Sequence, residues 1–184
     1  MKHLVILSVA LATPAAAETT ILIGHATPDS SPIHQALAYF EEEVEARSDG
    51  EMQVEPFPGG QIGSVQEMTE LVRSGNITMT TGASVPLSST VDELAVLDQF
   101  LPFRDEEHAR SVLDGPAGAR LAEAMESRGL ASIGLVKLGF RSLTNSRGPL
   151  DGVEAFEGLR MRSADNPIQI TAWRSIGAVP MPLA

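Results

Sequence analysis

Two arginines lie within apolar runs and could bind a carboxylate. Arg141 lies between Phe140 and Leu143, and Arg162 ends the alternating apolar and basic run at residues 158–162. An arginine in an apolar strand must find a partner, because a buried unpaired charge is costly. The planar guanidinium group matches a carboxylate with two parallel hydrogen bonds. Each arginine could instead form an internal ion pair, so the residues alone leave ligand and internal partner both open.

One histidine is placed where ligands commonly bind. His25 directly follows the apolar run at residues 20–24, and ligands of open α/β sheets bind outside the carboxyl ends of the strands. We therefore expect His25 to line a site. His34 and His108 lie near predicted helix starts and are expected to be structural. The histidines do not have the spacing of a metal motif.

The sequence offers no catalytic constellation. The acidic runs at residues 41–43 and 106–107 are typical of solvated helix faces, and no pair of carboxylates is placed as an acid/base couple. There is no G-x-S-x-G motif and no phosphate-binding Walker loop. The glycine-rich segment at residues 59–63 lacks the G-x-G-x-x-G spacing, so a plain turn is favoured over an anion site. We predict no catalytic residue, no cofactor and no metal.

Composition and charge restrict the class of protein further. The chain has 184 residues, of which 43% are hydrophobic and 20% charged, and a formal net charge of −11. These values are those of a globular protein rather than of a disordered, collagen-like or rod-like chain. The acidic balance argues against nucleic acid as a partner, because nucleic acid needs a basic face. There are no cysteines, which excludes disulfides and a cysteine-ligated zinc site.

The first 17 residues have the organisation of a secretory signal peptide. Lys2 and His3 precede a short apolar run at residues 4–12, and Ala15–Ala17 form an A-x-A cleavage site. The apolar run is too short to span a bilayer. We expect cleavage after Ala17, export of the remainder, and no direct membrane insertion after cleavage.

The elements that must position these side chains alternate between strands and helices. Strands are predicted at residues 20–24, 52–57 and 77–81, with helices between them that begin at Ser31-Pro32 and at a Ser64/Glu67 capping box. This order indicates parallel strands with helices on both faces. A loop is predicted at residues 82–90.

The second half of the chain repeats the alternation less regularly. Helices are predicted from residue 105 to residue 113, on to residue 128, and again after Asn166-Pro167. The strands predicted here lie at residues 131–138, 140–144, 158–162 and 179–181.

Seven segments, in order across the chain, resemble motifs of the DctP-type solute receptors of TRAP (tripartite ATP-independent periplasmic) transporters. They are residues 24–28 with 31–34, 57–64, 67–75, 101–104 with 108–110, 139–145, 158–162 and 177–181. The resemblance implies an α/β, periplasmic-binding-protein-like fold with two lobes of mostly parallel strands flanked by helices. It also implies capture of a small organic acid without catalysis, and delivery of that acid to the membrane permease subunits of a TRAP transporter.

The same resemblance implies roles for individual residues and a division of the chain. Arg162 falls on the arginine that pairs with the ligand carboxylate, Arg141 on a second pocket arginine, and His25 and Glu67 in pocket-lining regions. The expected division is a signal peptide at residues 1–17, an N-terminal α/β lobe at 18–138, and the start of a C-terminal α/β lobe at 139–184. Family members continue beyond the last segment, so we expect this second lobe to be incomplete.

Two other interpretations stay open on the sequence. One is an exported enzyme with a similar α/β fold, such as a hydrolase, which would need a nucleophile with a base or a metal cluster. The other is a receptor fragment without function, which differs from the first interpretation only in whether the chain folds and binds.

Overall fold

The structure, a computed structural model, describes residues 19–183. The predicted signal peptide lies outside the described residues. The strands and helices, in chain order, are β1 (Thr19–His25), α1 (Pro32–Arg47), β2 (Met52–Phe57), α2 (Val65–Arg73), β3 (Met79–Thr81), α3 (Ser84–Leu87), α4 (Glu106–Leu113), α5 (Pro116–Ser127), β4 (Arg160–Ser163), α6 (Pro167–Ser175) and β5 (Val179–Pro182). Two 3-10 helices lie at Asp92–Asp98 and Val153–Phe156.

The first sheet consists of β1, β2 and β3 in the order β2-β1-β3, and both pairings are parallel. Ile21 and Ile23 face α1, where they pack with the buried Leu37. Gly24 points to the opposite face, because side chains alternate along a strand. A Cβ atom on Gly24 would lie 2.5 Å from Sδ of Met68, so α2 packs closely on that face. The predicted sheet with helices on both faces is confirmed.

The helix starts follow from the capping residues found in the sequence. Ser31 accepts a hydrogen bond from the backbone N–H of His34 at 3.2 Å, with Pro32 in the first turn of α1. Ser64 and Glu67 form a reciprocal capping box at the start of α2. These side chains satisfy backbone donors that a helix leaves unpaired at its N-terminus.

The second sheet consists of β4 and β5, which are parallel and connected by α6. Asn166 caps α6 by accepting the N–H of Gln169 at 3.0 Å. Gly177, with a φ of 84°, follows the helix and allows the chain to turn into β5. The carboxyl end of β4 therefore leads directly into a capped helix, as the carboxyl ends of β1 and β2 do in the first sheet.

The strands predicted at residues 131–138 and 140–144 are wrong. These residues have no strand partner within the part of the chain that the structure describes, and a strand exists only where its N–H and C=O groups pair with a neighbour. Several of their apolar side chains are exposed, namely Ile133, Val136, Leu138, Phe140 and Leu143. The predicted loop at residues 82–90 also contains the short helix α3.

Candidate ligand-binding site

His25 is the last residue of β1 and is completely buried. Its Nδ1 lies 2.9 Å from Oγ1 of Thr27, and its Nε2 lies 3.1 Å from Nδ1 of His34. Burial lowers the pKa of His25, His34 lowers it further, and the contact with the backbone of Thr27 acts in the opposite direction. The environment therefore favours a neutral ring that ties the end of β1 to the start of α1.

Glu67 is connected to His25 through the glycine-rich loop at residues 58–63. The N–H of Gly60 donates to the carbonyl of His25 at 3.0 Å, and the N–H of Ser64 donates to Oε2 of Glu67 at 2.7 Å. The hydrogen bond from the backbone of Ser64 and, to a smaller extent, the bond from its hydroxyl hold the pKa of the Glu67 carboxyl below its usual value. The loop needs Gly63, because its φ is 125° and a Cβ there would lie 3.0 Å from Oε2 of Glu67.

Arg162 lies near the carboxyl end of β4, and its side chain is exposed. It borders an open cleft of about 490 Å³ formed by residues 142–147 and 159–162. Within residues 19–183, its guanidinium group has no hydrogen-bond or ion-pair partner. Burial of this arginine in an apolar strand was expected from the sequence, whereas its neighbour Ser163 is the buried residue. An exposed, unpaired guanidinium group can donate two parallel hydrogen bonds to a carboxylate.

Arg141 lies in the extended segment that leads to the same cleft. Its side chain is exposed, and no ion pair or hydrogen bond to it is found in the described part of the chain. The next two residues, Ser142 and Leu143, line the cleft beside Arg162. The two arginines therefore belong to the second sheet and its approach, whereas His25 and Glu67 belong to the first.

A buried carboxylate connects the regions that follow the two sheets. Oδ1 of Asp98 accepts a hydrogen bond from the hydroxyl of Ser84 at 2.6 Å, and Oδ2 accepts one from Nδ2 of Asn166 at 3.1 Å. Asp98 is 4% exposed and Asn166 is 5% exposed. Burial raises the pKa of Asp98, and the hydrogen bonds from Ser84, Asn166 and Ser88 oppose that rise.

Asp98 was not predicted from the sequence as a residue of this region. It ends the apolar run at residues 94–97, and an acidic residue after such a run is a weak signal by itself. Asn166 was recognised as a helix cap but not as a partner of Asp98, because the two residues are 68 positions apart.

The structure also bears on metal ions and membranes. In residues 19–183, histidine, aspartate and glutamate side chains form no group of three that could hold a metal ion. Every helix in this range is too short or too polar to cross a membrane.

Three comparisons with known proteins agree with one another. A sequence model of bacterial extracellular solute-binding protein family 7, DctP, matches residues 23–184. A solute-binding protein of Verminephrobacter eiseniae is 35% identical over 170 residues, which are 92% of this chain and 51% of that protein. The 2,3-diketo-L-gulonate-binding periplasmic protein YiaO of Escherichia coli is 31% identical over 174 residues, which are 95% of this chain and 53% of that protein.

The backbone is similar to that of a solved structure as well. A TRAP periplasmic solute-binding protein from Polaromonas sp. JS666, bound to D-erythronate, has a TM-score of 0.79 to this chain at 33% sequence identity. The match covers 91% of this chain and 55% of that chain. This chain spans about half the length of the curated relatives it matches.

Proposed function

This chain belongs to the DctP family, family 7 of the bacterial extracellular solute-binding proteins, and from that premise we propose that it captures a small organic acid for a TRAP-type secondary transporter. The family is one of receptors, and the chain binds its solute without converting it. Its partners are the acid and the membrane permease subunits, and its location is the periplasm. Residues 1–17 act as the signal peptide.

Arg162 carries the proposal. Its guanidinium group is exposed beside a cleft and has no partner among residues 19–183. A strand end that carries a free, geometrically rigid cation is suited to a planar anion, because both carboxylate oxygens can be bound at once. Exclusion of water on closure around the ligand would strengthen this ion pair.

The other three residues have supporting roles. Arg141 approaches the cleft through the segment before Ser142 and assists in neutralising the carboxylate. His25 and Glu67 would contribute from the first sheet, where the N–H of Gly60 donates to the carbonyl of His25 and the N–H of Ser64 donates to Glu67, so this part of the site is held in one conformation. The division into lobes at residues 18–138 and 139–184 is part of the same proposal, because each contains one of the two sheets.

Sugar acids are the ligand class with most support. YiaO is named for binding 2,3-diketo-L-gulonate, and the Polaromonas protein was solved with D-erythronate. Both compounds combine a carboxylate with several oxygen-bearing carbons. The carboxylate would pair with Arg162, and the remaining oxygens would accept and donate hydrogen bonds along the cleft.

Thermal unfolding of the chain with a panel of ligands tests the proposal. The panel consists of D-erythronate, 2,3-diketo-L-gulonate and succinate, with erythritol as a control that lacks the carboxylate. A ligand that binds only the folded chain stabilises it by about 2.7 kcal/mol at a hundred times its dissociation constant. We expect one of the acids to raise the midpoint and erythritol to leave it unchanged.

Substitutions of arginine show whether the shift depends on the proposed contact. Arg162→Ala should abolish the shift, and Arg162→Lys should weaken binding about tenfold, because lysine keeps the charge but loses the planar pair of donors. Arg120→Ala removes the same charge from an exposed position on α5 and should keep the shift. A cooperative unfolding transition that none of these acids moves would contradict solute capture by this chain.

A further inference from the structure

Asn166 is held by hydrogen bonds at both ends of its side-chain amide. Its Oδ1 accepts the N–H of Gln169 at 3.0 Å, and its Nδ2 donates to Oδ2 of Asp98 at 3.1 Å. The first bond caps α6, and the second connects the start of this helix to a segment that is distant in sequence. An aspartate could make the first bond but would place a second carboxylate against Asp98. A serine could also cap the helix but is too short to reach Asp98.

Asp98 is held from the other side by the segment that follows the first sheet. Its Oδ1 accepts from the hydroxyl of Ser84, the first residue of α3, which follows β3. The carboxylate therefore connects the chain after β3 with the chain after β4. Because it is almost completely buried, loss of either donor would leave part of a charged group unsatisfied, which is costly.

A second contact fixes the same helix further along its length. The ring of Trp173 in α6 packs edge to face against Phe100, with 4.8 Å between the ring centroids. Phe100 follows Asp98 by two residues, so both contacts to α6 come from one short segment. Contacts at two points along α6 restrict its rotation as well as its displacement.

We propose that the hydrogen bond between Asp98 and Asn166 positions α6, and with it Arg162 at the carboxyl end of β4, against the segment that follows the first sheet. Arg162 precedes Asn166 by four residues, and β4 ends between them at Ser163. Asp98 and Asn166 are thus positioning residues that act on a ligand through Arg162. The part of this inference that concerns a ligand rests on the proposed function.

Fluorescence of the chain reports on this bridge without any ligand. Trp173 is the only tryptophan in the sequence, and it lies on the helix that the bridge holds. We expect Asn166→Asp to shift the emission of Trp173 to longer wavelength, to increase quenching by acrylamide, and to lower the unfolding midpoint by about 2–4 °C or more. Repulsion between the two carboxylates is the cause.

A second substitution separates the bridge from a general loss of stability. Asp98→Asn should have little effect alone, because an asparagine can still accept from Asn166. In the double variant D98N/N166D the donor and the acceptor exchange places, so emission, quenching and midpoint should return close to the wild-type values. N166D/D105N is the matched control, since Asp105 caps α4 at an exposed position and asparagine caps equally well. The D105N substitution removes the same charge and should not restore the emission, the quenching or the midpoint.

The outcomes separate this inference from the proposed function. Rescue by D98N but not by D105N supports the bridge, and rescue by both or by neither overturns it. If N166D does not fold, Asn166→Ser keeps a cap without the bridge, and an unchanged Trp173 emission in that variant overturns the inference.

Affinity for D-erythronate or 2,3-diketo-L-gulonate tests the action on Arg162. We expect N166D to weaken binding about tenfold or more and D98N/N166D to restore it. An unchanged affinity in N166D would overturn the positioning of Arg162. If neither acid binds the wild-type chain, the proposed function fails, and the emission of Trp173 alone then decides for or against the bridge.

Discussion

The side chains at the carboxyl ends of the two sheets differ in burial and in hydrogen bonding. At the first sheet, His25 is completely buried and both of its ring nitrogens are hydrogen-bonded. At the second, Arg162 is exposed and has no hydrogen-bond or ion-pair partner within residues 19–183. The first sheet therefore stabilises its own strand ends, and the second keeps a cation available. A binding site assembled from both would combine a rigid wall with a free charge.

The largest difference between the two sheets is expected in the free energy of unfolding that is lost when a core side chain is shortened. Ile23→Ala should lower the free energy of unfolding by about 2–5 kcal/mol, because Ile23 is completely buried in the first sheet and its loss leaves a cavity. Met181→Ala in the second sheet should cost roughly 0.5 kcal/mol, because Met181 is already 39% exposed. Urea unfolding followed by circular dichroism measures both. Equal losses would contradict the difference between the sheets.

Substitutions near the carboxyl ends of the strands should show the same contrast on a smaller scale. Ser64→Ala should destabilise the chain by about 1 kcal/mol, because the backbone N–H of Glu67 loses its acceptor at the start of α2. Arg162→Ala should change stability by roughly 0.5 kcal/mol or less, because its side chain is exposed and has no hydrogen bond or ion pair within residues 19–183. Thermal unfolding without ligand measures both. A larger loss in Arg162→Ala than in Ser64→Ala would indicate that Arg162 is structural.

The pH dependence of stability tests the buried state of His25, with a smaller expected effect because the contact with Thr27 opposes the two lowering causes. The pKa of His25 is lowered in the folded chain from a value of about 6.5 when unfolded. The unfolded chain therefore binds more protons as the pH falls, and stability is lost as the pH drops below about 6.5. Urea unfolding between pH 7.5 and 5.5 measures this decline.

Two variants show which residue causes the loss of stability as the pH falls. His25→Gln should flatten it, whereas His108→Gln should keep it, because His25 is still present. Asp98 should change stability in the opposite direction as the pH falls. Burial raises its pKa, so the folded chain binds more protons there than the unfolded one. A decline that persists in His25→Gln would show that another group causes it.

Local patterns predicted most of the first sheet. An apolar, β-branched run located β1, and apolar residues at helical spacing together with the capping residues Ser31 and Ser64 located α1 and α2. The DctP resemblance and the α/β fold class are confirmed. The same kind of pattern failed at residues 131–144, because apolar β-branched residues predict a strand whether or not a partner strand is present. Pairing is a property of the fold and is not visible in one segment.

The candidate site was predictable only in part. His25 was located by its place after β1, but its complete burial was not predicted, and its contact with His34 forms only once α1 is in place. The exposure of Arg162 could not be deduced from the apolar residues around it. Asp98 was missed because its partner Asn166 is distant in sequence. The assignment of Arg162, Arg141, His25 and Glu67 to a ligand stays a prediction.

The extended segment at residues 131–143 presents an unpaired backbone and apolar side chains together. It exposes a run of large apolar side chains and, within residues 19–183, has no strand partner. An unpaired backbone of this kind is a template for pairing with another chain. The formal charge of −11 opposes such contacts through mutual repulsion, and salt at 0.1 M screens that repulsion beyond about 10 Å. The acidic charge therefore disfavours pairing of copies through this segment, and added salt weakens that effect.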